Sequence, residues 1–121
     1  MDAEGLRELL SPLGPVTVRR MFGGAGVFAD GLCFALALRG ELYLKTDDET
    51  RPAFAAAGSV PFTFERGGVA RETSYWRLVA EAYDDADVLK HWGGLALAAA
   101  RRAAAKPVRA KRAPAKKRTP R

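Results

Sequence analysis

The chain has 121 residues, 48% apolar and 28% charged, with a single Cys and a single His. That length suits one domain with a usable core, and the counts exclude a disulfide framework, a multi-cysteine zinc site and a histidine-built metal centre. The formal charge of +6 is unevenly spread: residues 101–121 hold ten Lys or Arg and no acid, while residues 1–100 hold the other ten and all 14 acids. A mildly acidic body thus carries a strongly basic tail, and arguments from basicity concern the tail alone. No apolar run approaches the roughly 20 residues of a membrane span, and the acidic, amphipathic start is unlike a signal peptide. A cytoplasmic protein without membrane contact is expected.

In chain order, Leu6, Leu9, Leu10 and Leu13 follow helical spacing and predict a short helix over about residues 2–11, ended by Pro12 and Gly14-Pro15. Strands are predicted at Val16-Thr17-Val18, at 26–29 and at 32–38, the last two joined by Asp30-Gly31, a two-residue hairpin signal. In the third strand, strict alternation puts Leu32, Phe34, Leu36 and Leu38 on one bulky face and Cys33, Ala35 and Ala37 on a small one. Arg39-Gly40 or Gly40-Glu41 turns the chain into Leu42-Tyr43-Leu44-Lys45. Such short connections force neighbouring strands antiparallel, in a meander.

Asp47-Asp48-Glu49 then caps a short helix that contains Pro52 and Phe54 and closes at Gly58. Phe62-Thr63-Phe64-Glu65, the turn Gly67-Gly68 and residues 69–78 form another hairpin, and Asp84-Asp85 opens a last helix with Val88, Leu89, Trp92, Leu95, Ala96 and Ala99 on one face. Within that helix the pair Gly93-Gly94 points to close packing or a kink. The order predicts an α+β fold: an antiparallel meander sheet of about six strands with three helices packed on it, spanning residues 1–105.

Arg19-Arg20-Met21-Phe22-Gly23-Gly24-Ala25-Gly26-Val27-Phe28-Ala29-Asp30-Gly31, then Phe34-Ala35, Leu42-Tyr43-Leu44-Lys45 and Ser74-Tyr75-Trp76-Arg77, resemble in order the N-terminal domain of the TfoX/Sxy family, over about residues 12–103. The resemblance implies a small antiparallel α+β domain and a link to bacterial regulation. Full-length members regulate natural competence genes, act with a transcription activator as protein partner, and have no catalytic role attached to this domain. They also carry a second, C-terminal domain of helical, DNA-binding-like character; here a short basic tail is expected in its place.

Other readings of the residues are weaker. Gly23-Gly24-Ala25-Gly26 leads into a strand with no following Lys, so neither a P-loop nor a dinucleotide fingerprint is met, and a glycine-rich bend or bulge explains it better. In Arg19-Arg20-Met21-Phe22, strand alternation sets one arginine beside an apolar residue on each face, either as a strand end with Phe22 buried or as a recognition edge. Tyr75-Trp76-Arg77 similarly sets Tyr75 and Arg77 on one face and Trp76 on the other. Cys33 reads as a small core residue, and the lone His91 has neither metal partners nor a nucleophile in its motif. No catalytic residue, cofactor or metal is assigned.

The tail, residues 106–121, is built from Ala, Pro, Lys and Arg, with prolines at 107, 114 and 120, and is expected to be disordered. Its composition is similar to the tails of histone H1 and bacterial H1-like proteins. Arg109, Lys111, Arg112, Lys116, Lys117 and Arg118 are its candidates for DNA or RNA phosphates, and Arg19, Arg20, Tyr75 and Arg77 are the candidates for a protein partner on the body. The leading expectation is a non-enzymatic regulatory or adaptor protein tethered nonspecifically to nucleic acid. The alternative is a small-molecule-binding protein or enzyme that uses the Gly23–Gly26 bend as a pocket wall. A third reading is a homodimer made by an exposed edge strand.

Overall fold

The structure is a computed structural model that describes residues 2–21 and 23–105. The expected burial of Phe22 and the expected disorder of residues 106–121 lie outside the described residues. The first helix, α1 (Ala3–Leu9), is capped by Asp2, whose Oδ1 accepts from Gly5 N at 2.8 Å, and a 3-10 turn (Ser11–Leu13) follows. Pro12 cannot continue an α-helix, so the predicted helix is shorter and passes into this tighter turn.

Four strands then run back and forth: β1 (Thr17–Met21), β2 (Gly24–Ala29), β3 (Leu32–Leu38) and β4 (Glu41–Lys45). Both residues of the turns Asp30-Gly31 and Arg39-Gly40 have positive φ, as a primed hairpin turn requires. Helix α2 (Arg51–Ala56) leads to the hairpin of β5 (Pro61–Arg66) and β6 (Val69–Arg77), which joins the sheet with β6 innermost, giving the order β1-β2-β3-β4-β6-β5. The choice follows burial: β6 brings Trp76 to the core and leads into buried Leu78, whereas residues 63–66 of β5 are exposed. A 3-10 turn (Ala80–Tyr83) precedes α3 (Ala86–Ala105), whose first turn is capped by Asp85 Oδ1 accepting from Asp87 N and Val88 N at 2.9 and 3.2 Å. The Tyr83 hydroxyl accepts from Leu42 N at 2.9 Å, taking up a β4 donor beyond the reach of β6.

The described helices all lie on one side. Leu6 and Leu10 from the N-terminal segment, Phe54 from α2, and Leu89, Trp92, Ala96 and Ala100 from α3 share a core with Val27, Phe34, Ala35, Ala37, Leu42 and Leu44 of the sheet. No described helix is long and apolar enough to cross a membrane. Strict alternation in β3 fails. Val27 pairs with Ala35 while Phe28 pairs with Cys33, so Phe34 is an extra residue, a bulge, and the parity flips there. Leu32, Phe34, Ala35 and Ala37 therefore face the helices, and Cys33, Leu36 and Leu38 face the other side. The small residues Ala35 and Ala37, not the bulky set, receive α3. Gly93 serves a different contact, the approach of α3 to the 3-10 turn rather than to the sheet, since a Cβ there would meet the Leu13 methyls at 2.6 Å.

Asp47 ties the start of α2 to the end of α3. Its Oδ1 accepts from Thr50 N at 3.1 Å while Thr50 Oγ1 accepts from Asp47 N at 3.0 Å, a reciprocal cap. Its Oδ2 lies 2.6 Å from Arg102 Nε on α3. The hydrogen bond from Arg102 outweighs the effect of burial and holds the Asp47 carboxyl down to about 2. A folded-state value below the unfolded 3.8 means that the stabilisation from this brace is fully present above that pH and is lost as pH falls through the folded value of about 2. Thermal melts from pH 5 to pH 2 should lose roughly 4–8 °C through this group, and Asp47→Asn should remove that part of the acid sensitivity.

Candidate interaction surface

On the helix-free side of the sheet, Leu36, Leu38 and Tyr43 form a second buried cluster, with Met21, Cys33, Phe62 and Tyr75 packed on it; every member is a strand residue. The glycines of β2 make this possible. A Cβ on Gly26 would collide with Met21 Sδ, and one on Gly24 would overlap the Ala37 carbonyl oxygen and lie 2.6 Å from Leu38 Cδ2. Gly24 and Gly26 are thus the floor over which Met21 and Leu38 close. The glycine-rich segment mostly belongs to a strand, with only Gly23, at φ +75°, in the turn.

Cations sit on the aromatic groups of this face. The Arg19 guanidinium lies 5.4 Å from the centre of the Phe28 ring, and Lys45 Nζ lies 5.3 Å from that of Tyr75 while donating to Ser74 Oγ at 2.8 Å. The Tyr75 hydroxyl donates to the Cys33 carbonyl at 3.4 Å, and burial pushes its phenol well above the usual tyrosine range, so it stays a neutral donor. Tyr43 and Phe62 meet edge to face at 5.2 Å. Arg77, the cross-strand partner of Tyr43, is held loosely by Glu41 at 3.5 Å and is half exposed.

Of the four body residues singled out from the sequence, Arg19, Tyr75 and Arg77 therefore share the helix-free face. Arg20 does not join them. It alternates with Arg19 on β1 and shares the side of Val18, which packs on the helix-facing core. Lys45, Phe28 and Phe62 belong to the surface but were not singled out. The Tyr43–Lys45 alternation in β4 carried the signal for Lys45, whereas the stacking on Phe28 is invisible without the β1–β2 register.

Arg20 instead lines a cleft of about 710 Å³ where the β1–β2 and β3–β4 turns meet the start of α1. Its wall includes Gly23, Gly24 and Ala25, its floor Ala37, and its rim Asp2 and Arg39. Among the described residues neither Arg20 nor Arg39 has an ion-pair partner. Cys33 lies in the outer cluster and His91 on α3, its ring 5.1 Å from that of Trp92, so the two are on opposite sides of the sheet and form no nucleophile–base pair. Among the described residues no group of three His, Cys, Asp or Glu could hold a metal ion. The nucleic-acid candidates Arg109, Lys111, Arg112, Lys116, Lys117 and Arg118 lie outside the described residues.

A family model described as the TfoX N-terminal domain matches residues 8–100. A search of curated proteins found no match.

Proposed function

Since the chain belongs to the TfoX N-terminal domain family, with its suggestion of a regulatory, competence-related role, we propose that it is a non-enzymatic regulatory or adaptor protein whose domain contacts a protein and whose basic tail tethers it to nucleic acid. The observation that carries this reading is the division of charge. All 14 acids lie in residues 1–100 while residues 101–121 hold ten cations and no acid, so attraction to a polyanion concentrates at one end and leaves the domain surface for another partner. Arg109, Lys111, Arg112, Lys116, Lys117 and Arg118 neutralise phosphates there without reading sequence. Arg19, Tyr75 and Arg77 supply the domain's contacts: two arginines and an aromatic group are residue types enriched at protein interfaces. Pull-downs of the intact protein, with and without nuclease, test the division of labour. A protein that stays bound after nuclease, and is lost from the Arg19→Glu, Arg77→Glu variant, supports a direct partner on the sheet; loss of every captured protein on nuclease treatment refutes it.

The cleft beside Arg20 and Arg39 favours a second reading, that of a small-molecule-binding protein with Gly23 and Gly24 in the wall. Inorganic phosphate or a small organic anion should then raise the melting temperature of the wild type but not of Arg20→Ala; no rise in either removes this reading.

A further inference from the structure

The β5–β6 hairpin outreaches the sheet. β4 pairs with β6 only at Tyr75, Trp76 and Arg77, whereas β5 accompanies β6 to the Gly67-Gly68 turn. The far part of this two-stranded ribbon, residues 63–66 and 69–72, is exposed throughout, and its Phe64 and Val69 are 43% and 53% exposed. Two-stranded ribbons are marginal by themselves, and large apolar side chains on one invite a partner.

The outer edge of β5 is open. Arg66 and Val69 flank a two-residue turn and so form a hydrogen-bonded pair. Alternation makes Phe64–Arg71 the next such pair and turns the N–H and C=O groups of Thr63 and Glu65 away from β6. Both edge strands carry charges, Arg19 and Arg20 on β1 and Glu65 and Arg66 on β5, and the one proline of β5, Pro61, stands at its start, so Phe62 to Arg66 keep every backbone N–H.

We propose that this ribbon is a self-association arm, in which β5 pairs antiparallel with β5 of a second copy about a two-fold axis. Charge permits a second copy and disfavours a strongly acidic or basic partner: Glu65, Arg66, Arg71 and Glu72 sum to zero, so two ribbons meet without net repulsion. A register centred on Phe64 sets Thr63 opposite the partner's Glu65, using the outward groups of both, and sets Arg66 opposite the partner's Phe62, so that no like charges face each other. The two Phe64 rings then meet at the close, non-hydrogen-bonded position of the new ladder. The inference is independent of the tail and of the contacts proposed for Arg19, Tyr75 and Arg77.

The test is sedimentation velocity of the nuclease-treated full chain at rising concentration, with amide exchange at Thr63 and Glu65. The sedimenting mass should climb from 13.1 kDa toward twice that value, with both amides slowing in step. Phe64→Glu and Thr63→Pro should each stay monomeric with unchanged circular dichroism. A monomer at every concentration up to about 1 mM, a dimer that survives both substitutions, or amides at 63 and 65 that exchange independently of concentration overturns the proposal. The amide readout decides the matter should either variant misfold.

Discussion

Gly24→Ala should destabilise the protein by about 3 kcal/mol, the upper part of the range for overpacking, and lower its melting temperature by roughly 15 °C. The added Cβ would overlap the Ala37 carbonyl oxygen on the neighbouring strand. That oxygen belongs to a β3 backbone pinned between β2 and β4, with Ala37 paired to Ala25 on one side and Leu42 on the other. Neither strand can withdraw without breaking its ladder. Gly94→Ala is the matching control. It lies in α3 with nothing within 4 Å of an added Cβ, so the gain in helix propensity should stabilise by about 1 kcal/mol. Calorimetry of the two variants separates the roles of the two glycine clusters. A Gly24→Ala protein that melts like the wild type would mean that the β2 glycines are not needed for packing.

Phe54→Ala should cost about 3–5 kcal/mol, as is usual for a buried aromatic truncated in a core. Phe54 is fully buried and meets Trp92 of α3 edge to face at 4.8 Å. It is also the only buried residue of a helix just six residues long, far below the length at which a helix persists unaided. Its loss should release α2 as well as leave a cavity, so the α2 amides should exchange rapidly even where the sheet stays protected. A urea midpoint within error of the wild type would contradict this account of how α2 is docked.

Much of this architecture could be read from local chemistry. Leucine spacing marked α1, Asp-Gly and Gly-Gly marked two hairpin turns, and the acidic clusters marked the approaches to α2 and α3, where Asp47 closes the turn that leads into α2 and Asp85 caps α3. Period-two alternation correctly separated Tyr75 and Arg77 from Trp76. Such signals act over a few residues, and they fail where the determinant is remote. The β3 bulge at Phe34 depends on what β2 offers opposite it, and no pattern within β3 announces it. The placement of β6 inside β5 is a decision of the whole sheet. The role of Gly24 and Gly26 becomes visible only when Met21 and Leu38 are seen lying over them. The separation of Arg20 from Arg19, by contrast, was legible as alternation; the strand simply extends further than the β-branched run Val16-Thr17-Val18 suggested.

The candidate surface shows the same division. Its arginines and tyrosine stand out by residue type, yet what arranges them is the stacking of Arg19 on Phe28 across the β1–β2 register and of Lys45 on Tyr75 across the β4–β6 register. The basic tail is legible by composition alone, which is why its proposed role is nonspecific attraction.

The most direct test is fluorescence anisotropy of a labelled DNA duplex with the full chain and with a chain ending at residue 105, each titrated at several salt concentrations. If the tail makes six phosphate contacts, the full chain's log K should fall against log salt with a slope of about −5, and the shortened chain, with its fold and melting temperature intact, should show no binding. Equal affinity and equal slope for the two chains would place the contact on the domain and contradict the account.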